Sequence, residues 1–178
     1  MKRELAFSLL LFATVAKAEM EDRTETTLIV VHHSDTECGN VEAFRKFHKE
    51  TNGWDDIGYH FVITNGQGGP DGQIQMGRAL QKQGAHAENR NRRSIGICLV
   101  GKETFTERQK ESAIILISAL CIIYKIEPSE GTIQGHHEEC PGPGINLSQT
   151  IEWVRECLKV ISQKTSAPRK EARGFFYS

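Results

Sequence analysis

The chain has 178 residues, of which 38% are hydrophobic and 25% charged, with 22 Lys and Arg against 23 Asp and Glu. That balance supports one sizeable core and excludes both a long disordered chain and a nucleic-acid binder working by bulk positive charge, since a net charge of −1 leaves no basic excess to displace counterions. No run reaches the roughly 18 apolar residues of a membrane-spanning helix, so stable membrane insertion is not expected, and five cysteines are too few to build a disulfide-held miniprotein.

In chain order, the N-terminus reads as a processing signal. Lys2 and Arg3 precede an apolar run from Leu5 to Val15, and Ala16-Lys17-Ala18 supplies small residues two apart, the pattern of a secretory signal peptide cleaved after Ala18. A buried N-terminal helix or an uncleaved anchor is the competing reading. Cleavage leaves a mature chain of net charge −3, secreted or periplasmic, where disulfides are permitted.

Residues 19–164 then read as one domain. The β-branched run within Thr27–His33 predicts a strand buried on both faces. Asn40 is placed to cap a helix to about Glu50, with Val41, Phe44, Phe47 and His48 on one face, and Asn52-Gly53 stops it. Tyr59–Thr64 predicts a second strand, the turn chemistry of 65–72 follows, and Gln73–Gly77 returns as a hairpin. Ser94–Val100 is another buried strand. Thr106 caps a long helix to about Tyr124, with Glu107 early and Lys125 late, as the helix dipole prefers. Thr132–Gly135 is a short strand, 141–144 a rigid Pro-Gly loop, and Ser148 the cap of a last helix to about Ile161. The tail, 165–178, is polar and basic apart from Phe175-Phe176-Tyr177. Mixed strands and helices with no linker or repeat imply an α/β fold: a single domain with a central mixed β-sheet flanked by three main helices.

Residue types that ligate metals gather at strand ends, where α/β sheets commonly assemble sites. His32 and His33 end the first strand, His136 and His137 follow the last, and Cys140 comes four residues after His136. Two imidazoles, a thiolate and an open fourth position make a catalytic zinc site. Side chains alternate along a strand, so one of each histidine pair points inward. Spacing alone leaves open that these are hydrogen-bonded structural histidines.

The motifs Val31-His32-His33-Ser34-Asp35-Thr36, Gly58-Tyr59-His60-Phe61, Gly84-Ala85-His86-Ala87, Ser94-Ile95-Gly96-Ile97-Cys98-Leu99-Val100-Gly101, and His136-His137-Glu138 with Cys140-Pro141 occur in that order. Together they resemble the zinc N-acetylmuramoyl-L-alanine amidases of the bacteriophage-lysozyme and peptidoglycan-recognition-protein family, over roughly Leu28 to Val160. The resemblance implies zinc ligands His32, His136 and Cys140, with water in the fourth position. It implies Tyr59 as the active-site tyrosine near the scissile carbonyl, and His86 as a histidine lining the substrate groove. The implied substrate and partner is peptidoglycan, cut between N-acetylmuramic acid and L-alanine, by a monomer. The chain departs from the family in one place. The loop between the second His and the Cys is only His137-Glu138-Glu139, and the usual Lys or Thr two before the Cys is replaced by Glu138. Glu138, or its neighbour Glu139, is then a candidate general base, unless water with Tyr59 suffices; the alternative for both glutamates is a solvated acidic turn.

Other residues carry weaker signals. His33 and His137 are expected to support the ligands or lie exposed, His60 to face away from the site, and His48 to be structural. The basic loop Arg90-Asn91-Arg92-Arg93, with Arg92 as its candidate substrate contact, suits stem-peptide carboxylates or is a solvated turn. Trp54 walls the groove or packs in the core. Cys98 and Cys121 read as buried thiols, and Cys38 and Cys157 as the more plausible oxidation partners; a disulfide at Cys140 would remove the third ligand. A non-catalytic peptidoglycan-recognition module of the same fold is the alternative function.

Overall fold

In the computed structural model, which describes residues 20–166, Leu28–His33 forms strand β1, its first five residues buried. The proposed signal peptide and the Phe175-Phe176-Tyr177 motif lie outside the described residues. The remaining elements are α1 (Val41–Glu50), β2 (Phe61–Ile63), β3 (Ile74–Met76), β4 (Ser94–Leu99), α2 (Glu107–Tyr124), β5 (Ile133–Gly135) and α3 (Leu147–Ser166). The five strands form one sheet in the order β3-β2-β4-β1-β5. β1 lies between β4 and β5, parallel to both; β2 is parallel to β4, and β3 returns antiparallel to β2 through the Gly-rich turn.

The alternation of side chains along β1 separates structure from function. Ile29 and Val31, with Ile95, Ile97, Leu99, Ile63 and Ile133, face Leu116, Ile117 and Leu120 of α2 and Ile151 and Val154 of α3. Each such buried side chain contributes about 1.5–3 kcal/mol. On the opposite face, Leu28 and Val30 pack with Ala87, while Val62, Cys98 and Val100 pack under Val41 and Phe44 of α1. His32 follows Leu28 and Val30 on that second face, away from α2 and α3.

Capping follows the sequence at two helices and departs from it at the third. Asn40 Oδ1 accepts the Ala43 N–H at 2.9 Å, and Thr106 and Gln109 close a reciprocal capping box on α2. Lys125 is not a last-turn cation: it is the C-cap, left-handed at φ 55°, with its N–H on Cys121 O. Asn146, not Ser148, caps α3, its Oδ1 accepting the Gln149 N–H at 3.0 Å, while the Ser148 hydroxyl donates to Glu130. α3 runs to Ser166, past the Ile161 end and the 164 boundary expected from sequence. The second strand starts at Phe61, leaving Tyr59 in the approach to the sheet. All five cysteines are free thiols, so neither a Cys38–Cys157 bridge nor a disulfide at Cys140 is formed; Cys98 and Cys121 are buried. No helix among the described residues is long and apolar enough to cross a membrane.

Candidate metal centre and its cavity

The sheet register brings two histidines together. β1 and β5 pair in parallel with Val31 opposite Gly135, so the next step sets His32 beside His136 on the same face. Their ring centroids are 4.8 Å apart. The short loop after His136 then reverses the chain. Cys140 N–H donates to His137 O at 3.1 Å and His137 N–H to Cys140 O at 3.3 Å, leaving Glu138 and Glu139 at the tip. Gly135 makes room for this return, because a Cβ there would lie 2.5 Å from the Cys140 carbonyl oxygen. One ligand atom from each of His32, His136 and Cys140 consequently falls within 4.8 Å of the other two.

The surroundings set these groups up as ligands. Burial holds the His32 imidazole well below its ordinary pKa, reinforced by His86, His136 and Arg90. His136 is lowered too, chiefly by burial and then by His137. Both rings are therefore neutral near pH 7 and keep a lone pair free. Burial pushes the Cys140 thiol up, partly offset by the backbone N–H of His33, which donates to Sγ at 3.4 Å. A buried sulfur met by an N–H is arranged for a thiolate, but needs a cation to complete its stabilisation. Two neutral imidazoles and one thiolate, with room for a fourth ligand, suit zinc.

His86 stands behind His32. Its ring rests on Gly96 of β4, where a Cβ would lie 2.5 Å from the ring, so only glycine admits it. Its Nδ1 is 3.0 Å from His32 Nε2, and its Nε2 is 3.4 Å from Ser94 Oγ. The Ser94 hydroxyl donates to Arg90 O at 2.7 Å, which fixes the direction of the chain. Ser94 Oγ accepts from His86 Nε2–H, His86 Nδ1 accepts from His32 Nε2–H, and His32 Nδ1 is left as the free donor atom.

A cavity of about 840 Å³ is lined by His32, His136 and Cys140. Tyr59, Trp54, Lys102 and the Glu138-Glu139 tip also line it. The Tyr59 ring lies 5.2 Å from that of His32, and burial, with Cys98 and Cys140 nearby, raises its hydroxyl far above the ordinary value. The hydroxyl therefore keeps its proton and can donate a hydrogen bond. Trp54 is 37% exposed and stacks 4.7 Å from His48. Glu138 is exposed on the rim.

His86 borders the cavity but is 93% buried, touching His32 rather than standing free in the groove. Arg92 is not among the lining residues; its guanidinium reaches Glu21 at 3.3 Å. His33 and His137 line the cavity beside the ligands. His60 is fully buried on the far side of His86, with Nδ1 accepting the Gly96 N–H at 3.0 Å, and His48 Nδ1 accepts the Gly58 N–H at 3.1 Å. Sequence reasoning passed over Lys102, which pairs with Asp35 at 2.9 Å; its position just past the end of β4, next to β1, was the available signal. Ser94 opens one of the motifs, but nothing in its strand-start position signalled the contact with His86.

Comparisons with known proteins show what the chain and its fold are similar to. The family described as N-acetylmuramoyl-L-alanine amidase matches residues 22–143. The chain is 35% identical to the endolysin of Escherichia phage T7 over 152 residues, covering 78% of this chain and 93% of that protein. It is 40% identical over 133 residues to the N-acetylmuramoyl-L-alanine amidase of Sus scrofa, covering 69% of this chain and 21% of that longer protein. Among solved structures, the amidase LysC from Clostridium intestinale superposes with a TM-score of 0.69 at 28% identity, covering 78% of this chain and 91% of LysC. Drosophila PGRP-LB superposes with a TM-score of 0.62 at 27% identity, covering 76% and 85%.

Proposed function

The chain belongs to the N-acetylmuramoyl-L-alanine amidase family, and from that premise we propose that it is a zinc-dependent hydrolase. Its substrate is the amide bond between N-acetylmuramic acid and L-alanine in peptidoglycan, and it acts outside the cytoplasm after signal-peptide removal. The observation that carries the reading is the convergence of His32, His136 and Cys140 at the floor of a cavity lined by Tyr59.

When bound, zinc supplies Lewis acidity toward the carbonyl and makes hydroxide available near neutral pH. The protein's own groups supply the rest. His32 and His136 offer neutral nitrogens, and Cys140 its sulfur. The Tyr59 hydroxyl, held protonated, donates to the carbonyl oxygen as negative charge gathers there. Glu138, on the rim at the turn tip, takes the proton of the attacking water and returns it to the departing nitrogen. Trp54 offers an apolar wall to the glycan or stem peptide. A pure recognition module needs neither the ligand set nor a protonated tyrosine beside it, and the chain retains both.

The test is incubation of the mature chain with purified peptidoglycan, with and without a chelator, read by mass spectrometry. Stem peptides with a free L-alanine amino terminus, lost on chelation, are expected. Wall binding with no release of peptide overturns the enzyme reading in favour of recognition.

A further inference from the structure

β5 is a three-residue strand that, among the described residues, pairs with β1 alone, and its ladder ends at the Val31–Gly135 pair. His136 lies one residue beyond that end. The chain then turns back after Glu138-Glu139; the His136 N–H meets the Cys140 sulfur, while its carbonyl lies past the end of the ladder. An edge strand this short frays readily.

Arg90 supplies what the ladder lacks. Its Nη1 donates to Gln134 Oε1 and Gly135 O, each at 3.1 Å, and its Nη2 donates to His136 O. All three acceptors are neutral and all belong to the last residues of β5 or the one after it. The guanidinium fork spans two successive carbonyls, a geometry that a lysine ammonium does not reproduce.

The backbone of Arg90 is itself held. Ser94 Oγ–H donates to its carbonyl at 2.7 Å, and its N–H donates to Ala87 O at 3.0 Å. Asn91 Oδ1 accepts the N–H groups of both His86 and Ala87 at 2.9 Å. The segment 86–94 therefore touches both histidine ligands, reaching His32 through the His86 ring and the His136 carbonyl through the Arg90 guanidinium. The basic loop read from sequence as a carboxylate binder or solvated turn is divided in its roles: Arg90 turns inward onto β5, and Arg92 outward to Glu21.

We propose that Arg90 is a positioning residue of the metal centre, holding the His136 end of β5 at the spacing from His32 and Cys140 that metal capture requires. This inference rests on the metal reading given above and extends it to a residue that never touches the metal or the substrate.

The test is metal affinity of the full mature chain, measured by chelator competition with zinc alone, for wild type, Arg90→Gln and Arg90→Lys. Cobalt substitution gives the spectrum of the ligand field, and thermal unfolding of the metal-free proteins gives a separate reading of the fold. Arg90→Gln is expected to weaken zinc binding about tenfold or more and to alter the cobalt bands, with Arg90→Lys falling between it and wild type. Zinc affinities within about twofold of wild type and unchanged cobalt spectra in both variants overturn the proposal, whether or not the metal-free melting temperature falls. If wild type itself binds no zinc, the metal reading fails and this inference fails with it; if wild type binds and the variants match it, only the inference fails.

Discussion

His86 Nδ1 lies 3.0 Å from His32 Nε2, two imidazoles in a buried hydrogen bond on the sheet face opposite α2 and α3. Because the Ser94 hydroxyl is committed to Arg90 O, the proton between the rings belongs to His32. The contact both orients the His32 ring and selects the tautomer that leaves Nδ1 for a metal. His86→Ala removes the acceptor and opens a cavity behind the ligand. We expect zinc affinity to drop about 10- to 100-fold, measured by chelator competition. Affinity equal to wild type would show that His86 acts on substrate alone.

Tyr59→Phe keeps the ring and deletes the donor. With the hydroxyl held protonated by burial, its loss is expected to lower kcat about 10²- to 10³-fold, the cost of one oxyanion donor. Zinc content should stay at the wild-type level. A variant that keeps wild-type kcat removes Tyr59 from the reaction.

Glu138→Gln separates a general base from a solvated turn. The turn is held by backbone bonds between His137 and Cys140, so the substitution leaves the fold and zinc binding intact. A proton-transfer role predicts a fall in kcat of about 10²-fold or more. A change under about twofold assigns proton transfer to another group.

Acid stability carries the signature of the buried histidines. Burial holds the fully buried His60 at about 4, and lowers His32, His86, His48 and His136 in the same direction. The unfolded chain binds protons near pH 6.5 that the folded chain refuses, so stability is fully present above that value and is lost as pH falls toward 4. His60 alone accounts for up to about 3 kcal/mol of this. The urea midpoint of the metal-free protein should therefore drop steadily between pH 6.5 and 4, and His60→Asn, which preserves an acceptor for the Gly96 N–H, should flatten the slope. A midpoint independent of pH across that window contradicts the buried neutral assignment.

Much of the fold was legible because its signals are local. The β-branched run of β1, the Asn40 and Thr106 caps, and the Gly-rich turn before β3 each act within a few residues. The clustering of His32, His136 and Cys140 was legible because two motifs carry these residues, and alternation along β1 sends one histidine of the pair to the face where they meet. Departures arose where tertiary contacts decide. Asn146 and Ser148 are both competent caps, and Ser148 is taken by Glu130. Arg90 and Arg92 are the same residue type two positions apart, and only the approach of β5 tells the inward guanidinium from the outward one. The short loop from His136 to Cys140 was an irregularity in sequence; its closure depends on Gly135 leaving room for the returning chain.

The central claim is that His32, His136 and Cys140 hold one zinc ion. Its most direct test is the zinc content of the purified mature chain by elemental analysis, for wild type and for Cys140→Ala and His136→Ala, with circular dichroism to confirm that each is folded. The account predicts one zinc per wild-type chain, lost from both variants along with hydrolysis. A folded wild-type chain that takes up no zinc, or variants that retain it in full, would contradict it.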